Sequence, residues 1–240
     1  MALVEVGTSA GLNLLFDHYA YDYGAGRRWG APNSTVVLPC ELRGPLVPPL
    51  PPRAPAIADR IGIDLAPIDA GDPEAALWLR ACVWPEQRDR AARLRLALAV
   101  ARSARLPLVA GDALDALPAA IAALPREIPI CVFNSATLAY FSREGRARFS
   151  ALLAALASDR EIYWLSSEGP TPLHQAVVER AADWHRRDQE ARAARGAGLP
   201  VPHWLVLTAF TGGGRAERAL AMVDPHGAWL EWLDTAQQPA

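Results

Sequence analysis

The stretch Leu3-Val4-Glu5-Val6-Gly7-Thr8-Ser9-Ala10-Gly11-Leu12-Asn13-Leu14-Leu15-Phe16 decides how the rest of the chain is read. Residues 3–6 are a short, largely apolar run of strand character. Residues 12–19 carry Leu12, Leu15 and Phe16 at the spacing of one helix face. The turn between them, residues 5–11, is small and bounded by glycine. A helix start exposes unpaired N–H groups, and small residues let a ligand approach them. A carboxylate such as Glu5 is unusual at the end of a buried strand, so a ligand site is expected here rather than a plain tight turn.

Further short apolar runs stand at 61–65, 107–110, 130–133 and 162–165, several ending at glycine or an acid. Helical periodicity fills 87–104, 143–158 and 172–195. Strands alternating with helices predict a three-layer, Rossmann-like α/β fold with a mostly parallel sheet. Runs at 203–210, 218–223 and 228–233, separated by turns at 212–214 and 224–227, predict an antiparallel C-terminal edge. Residues 20–60 break the alternation and read as an insertion. Within it, 35–42 looks like a strand. Residues 44–55 are proline-rich and should be extended, a rigid connection that happens to contain the SH3-ligand pattern Pro48-x-x-Pro51-x-Arg53. The whole chain, 1–240, is expected to form a single domain.

Three functional readings compete for the first turn. A dinucleotide fingerprint, GxGxxG, keeps Gly7 but finds Ser9 and Leu12 where glycines are needed. A nucleophile elbow, GxSxG, fits residues 7–11 with Ser9 as nucleophile, His226 as base and Asp224 to orient it. That fold places strands before its elbow, whereas here only two residues precede the strand. A non-catalytic binding or assembly domain is a further alternative. The reading favoured is the first motif of a class I S-adenosylmethionine-dependent methyltransferase, E-x-G-x-G-x-G. The sequence supplies Glu5, Gly7, Ser9 and Gly11, with Thr8 between. Asp64, ending residues 61–65, is the candidate for the ribose hydroxyls. Asp112, after residues 109–111, is the candidate for the adenine amino group. Ionised carboxylates only accept hydrogen bonds, and both ligand groups donate them. Glu41 competes with Asp64 for the ribose; Gly62-x-Asp64 followed by Pro67 favours Asp64.

Residues 3–23 (LVEVGTSAGLNLLFDHYAYDY), 60–69 (RIGIDLAPID), 78–87 (WLRACVWPEQ), 162–169 (IYWLSSEG) and 225–233 (PHGAWLEWL) resemble the domain of unknown function 2332 family over almost the whole chain. The resemblance supplies no reaction of its own. It implies relatives with a helical region before the first strand, which this chain is expected to lack.

The remaining candidates follow from strand ends. Asn134 and Tyr140 come after the fourth strand and Glu168 after the fifth, where a doubly wound sheet places its substrate. Glu168 has the chemistry of a general base. Trp84-Pro85-Glu86 reads as helix termination and capping, with a substrate-facing loop as its alternative. Trp184-His185-Arg186-Arg187 reads as a solvated helix face. The histidines have no metal-ligand spacing, so no metal is expected.

Composition excludes other classes. The net charge of −2 offers no basic field for nucleic acid. No apolar run reaches the roughly 18–20 residues of a membrane span, and no signal peptide opens the chain, so a cytoplasmic protein is expected. All 24 basic residues are arginine, which removes P-loop, Schiff-base and pyridoxal-phosphate chemistry, each built on lysine. Cys40, Cys82 and Cys131 are too scattered for a disulfide framework and read as buried thiols. The partner expected is a small molecule.

Overall fold

Every residue of strand β1 (Ala2–Val6) is buried. A strand buried on both faces belongs inside a parallel sheet, covered from both sides. The computed structural model describes residues 1–169, 174–195, 199 and 201–235. It divides into two compact units, 1–40 with 50–132 and 41–49 with 133–240.

In the first unit, β6 (Asp59–Asp64) lies parallel to β1, with Val4 opposite Ile61 and Val6 opposite Ile63. Next comes β7 (Leu108–Ala110), parallel to β6. On the other side of β1 runs the start of β8 (Ile130–Ser135), giving the order β8-β1-β6-β7. The chain thus builds outward from β1 on one side and then returns to the other. Ligands of such sheets bind at that reversal, beyond the carboxyl ends of the strands.

Helix α1 (Pro73–Ala81) starts at Asp72, whose side chain accepts the Glu74 and Ala75 N–H groups. Helix α2 (Arg88–Ala104) ends on Arg105 in the left-handed conformation. Its Ala97 and Ala101 pack on Leu15, Tyr19 and Val36. Helix α3 (Ala113–Ala122) is capped by Asp112 and accommodates Pro118. The segment after the first turn is a short 3-10 helix, Asn13–His18, rather than a continuous α-helix.

The predicted strand at 35–42 divides into β4 (Val37–Pro39) and β5 (Glu41–Arg43). Strand β4 joins β2 (Ala20–Asp22) and β3 (Arg28–Gly30) in a small sheet, ordered β3-β2-β4. Aromatic packing stands in for a core there: the Tyr21 and Trp29 ring centroids are 5.4 Å apart. Residues 44–55 form no helix or strand.

The second unit contains the end of β8, then β9 (Ile162–Glu168), β10 (His203–Thr211), β11 (Gly214–Val223) and β12 (Trp229–Trp232). From β9 to β12 the strands run antiparallel in chain order, and β5 pairs parallel to β12. Burial alternates along β9 and β10, so Trp164, Ser166 and Glu168 share a face with Thr208, Val206 and Trp204. Helix α4 (Arg143–Leu156) sets Phe149 edge-on to Trp164 at 5.5 Å. Helix α5 (Gln175–Arg195) sets Val177 and Trp184 in a cluster with Trp204, Val206, Met222 and Trp229.

Two sequence expectations are corrected. Trp184 is a core residue, not part of a solvated face, because α5 turns it toward β10. The cysteines are not the buried thiols expected: Cys40 and Cys131 are half-buried, and Cys82, closing helix α1, lies open to solvent. The first three residues of the 172–195 helical pattern, 172–174, precede α5, and 172 and 173 lie outside the described residues. Among the described residues no helix is long and apolar enough to cross a membrane.

Gly62 records how closely the first turn packs. A Cβ there would stand 2.7 Å from both the Thr8 side chain and Leu108 Cδ2. Gly62→Ala is therefore expected to destabilise the protein by about 1–3 kcal/mol through overpacking. The measurement is the urea midpoint at constant m-value.

Candidate functional site

The turn after β1 is held by main-chain and carboxylate bonds from its neighbour strand. Gly7 and Thr8 both donate to Ile63 O, at 2.8 and 3.2 Å. Ser9 N–H donates to Asp64 Oδ2 at 2.8 Å, and Asp64 Oδ1 accepts from Ala66 N–H at 3.0 Å. Gly111 N–H continues the stitching to Asp64 O at 2.8 Å. Ile68 N–H closes back onto Ser9 O at 3.0 Å. The ends of β1, β6 and β7 are therefore one bonded edge.

Ser9 sits at φ +51°, in the left-handed region that glycine prefers. The position of the missing motif glycine is thus glycine-like in conformation, and serine occupies it at a cost of about 1 kcal/mol. Gly11, at φ +70°, needs glycine for a second reason: a Cβ would meet Leu106 Cδ1 at 2.6 Å.

Glu5 points inward. It is 1% exposed, Thr8 Oγ1 donates to its Oε2 at 2.8 Å and Asn13 Nδ2 to its Oε1 at 2.7 Å. Burial pushes its carboxyl up to about 7, against the opposing hydrogen bonds from Asn13 and Thr8. Glu5 was expected among the cofactor-contacting residues; within the turn its two oxygens take the Thr8 and Asn13 side chains. Asn13 was missed from sequence, and its only signal was a polar residue at the start of an apolar run.

Asp112 caps helix α3. Its Oδ1 accepts Leu114 N–H at 2.8 Å as the N-cap of α3, and the residue is exposed. Glu41 belongs to the second unit, opposite Trp229 of β12, and pairs with Arg43 at 2.8 Å. Asp64 is the acid beside β1.

In the second unit Asn134 and Glu168 come together. Glu168 Oε1 accepts from Asn134 Nδ2 at 2.6 Å, Thr137 N–H at 2.8 Å and Leu138 N–H at 3.0 Å. Asn134 Oδ1 accepts Trp164 Nε1–H at 2.8 Å. Tyr140 does not join them, and its ring is 90% exposed. Glu168 thus latches the loop after β8, leaving only its second oxygen for a general-base role. Beside Trp164, with ring centroids 4.8 Å apart, lies buried His174, its Nδ1 3.1 Å from Glu217 Oε2. Burial lowers the His174 pKa, so neutral imidazole is favoured and Nδ1 donates to Glu217. His226 is exposed in a turn where the His226 main-chain N–H donates to Asp224 Oδ1 at 2.8 Å. Trp84 is exposed between α1 and α2, where Gln87 N–H closes a turn on Trp84 O.

These features define a class: an α/β protein whose small-residue turn ends a central buried strand and is braced by a carboxylate from the parallel neighbour. The family model described as an uncharacterized protein conserved in bacteria, DUF2332, matches residues 1–232. The chain belongs to that family. No curated protein matches it.

Two outcomes are expected. Glu5 is protonated more readily in the folded protein than in the unfolded chain, so its contribution falls as pH rises from about 4.5 through about 7. Glu5→Gln removes this penalty. Its stability relative to wild type should rise by about 3 kcal/mol between pH 4.5 and pH 8 in denaturant titrations. Glu168→Ala should cost about 3 kcal/mol by stranding buried N–H groups, and Glu168→Gln should recover part of it.

Proposed function

We propose that the first turn and its acids bind S-adenosylmethionine and that the protein is methyltransferase-like, acting on a small-molecule acceptor. The observation that carries this reading is the 2.8 Å bond from Ser9 N–H to Asp64 Oδ2. It joins the two motif halves that the sequence separates by 55 positions.

The residues present suit the ligand. Each Asp64 oxygen has a single protein donor and keeps capacity for a ribose hydroxyl. Asp112 is exposed and can accept from an adenine amino group. Leu65 and Val109 are exposed apolar side chains next to these strand ends, 77% and 37% open, and suit the face of a purine. When bound, the cofactor supplies an electrophilic methyl group on sulfonium. The chain's part is to hold the nucleoside and fix the line of approach, since alignment is the main requirement of such a transfer.

The left-handed backbone of Ser9 also suits a nucleophile elbow, the feature that favours a serine hydrolase. One substitution separates the two readings. Ser9→Gly keeps the conformation and the N–H donated to Asp64, so S-adenosylhomocysteine binding should persist. A hydrolase would instead label with a fluorophosphonate at Ser9 and lose that label in Ser9→Gly.

Isothermal titration with S-adenosylhomocysteine is the direct test. Wild type should bind, and Asp64→Ala should bind at least about tenfold more weakly, since a hydrogen bond to a charged group contributes about 1.5–3 kcal/mol. Absence of binding by wild type would sink the reading.

A further inference from the structure

We propose that Asn13 is a ligand-binding residue whose side-chain carbonyl, turned outward by Glu5, accepts a hydrogen bond from the cationic amino group of the ligand's amino-acid portion. The proposal deepens the S-adenosylmethionine reading and rests on it.

The orientation follows from donor and acceptor chemistry. Glu5 is buried, and its Oε1 takes the Asn13 amide nitrogen at 2.7 Å. Above about pH 7, where Glu5 is ionised, the carboxylate has nothing to donate, so Asn13 presents Nδ2 to it, as the 2.7 Å contact shows. That choice turns Oδ1 the other way. Asn13 is exposed, and no hydrogen bond to Oδ1 forms among the described residues. A buried acid beneath an exposed amide thus fixes which end of the amide a ligand meets. Thr8 Oγ1 donates to the other carboxylate oxygen at 2.8 Å.

Placement identifies the ligand group. On this reading the adenine lies at Asp112 beyond β7 and the ribose at Asp64 beyond β6. The strands follow one another as β7, β6, β1. The end of the ligand beyond the ribose therefore reaches the turn of β1, where Asn13 follows Gly11 and Leu12. That end carries an ammonium group, a donor without an acceptor. The turn's own N–H groups at Gly7, Thr8, Ser9 and Gly11 are already used internally. A neutral carbonyl acceptor is what the turn then offers a cation.

The test compares two ligands on wild type, Asn13→Ala and Asn13→Thr. S-adenosylhomocysteine carries the amino group; 5′-methylthioadenosine is the same nucleoside thioether without the amino-acid portion. Threonine keeps a donor for Glu5 while removing the carbonyl, which guards against loss of folding. Both variants should bind S-adenosylhomocysteine about tenfold more weakly and 5′-methylthioadenosine with unchanged affinity. Unchanged S-adenosylhomocysteine affinity overturns the role of Asn13 and leaves the cofactor reading standing. Equal loss for both ligands also overturns it, because Asn13 then only shapes the turn. Failure of wild type to bind either ligand overturns the cofactor reading and this inference together.

Discussion

The parallel pairing of β6 on β1 is the constraint from which the candidate site follows. With Val6 opposite Ile63, the Ile63 carbonyl is placed to take two consecutive N–H groups of the turn, and Asp64 falls next in line to take a third. A turn held at so many points has little conformational choice. Ser9 is forced into the left-handed region, Gly11 into a space without room for a side chain, and Thr8 into the volume that Gly62 leaves vacant. The strain is local and the reward is rigidity, which a site that aligns a ligand needs.

Glu5 shows how a buried charge can be structural without an ion pair. Its cost of desolvation raises its pKa, and two side-chain donors from the turn itself offset part of that cost. Buried polar groups work in this way: they fix which way the side chains above them point. The same logic organises the second unit. Trp164 orients Asn134, Asn134 and two loop amides converge on Glu168, and Glu217 holds both His174 and the Ala176 N–H at the start of α5. These bonds tie the loop after β8 and the start of α5 to the sheet.

Much of the architecture was legible because it is written in periodicity. The strands at 3–6, 130–133 and 203–210 and the helices at 87–104 and 143–158 emerge within a few residues of expectation. What escaped was interrupted or too short for a period to register. Helix α3 carries Pro118, which reads as a break. The small sheet β3-β2-β4 is built of three-residue strands. These are too short for alternation to register.

By itself the sequence determined the order of the elements, the glycine-bounded turn at the end of the first strand and the acids at the ends of the next two, because these depend on local backbone preference and residue chemistry. It determined the family for the same reason, since motifs are strings. Tertiary structure alone decided that Asp64 rather than Glu41 braces the turn, because strand partners are chosen by burial across the chain. It also decided that Glu5 faces inward and Asn13 stands over it. The direction of a side chain at a strand end depends on what fills the space around it, and here Thr8, lying over Gly62, and Asn13 supply the donors that make an inward carboxylate tolerable.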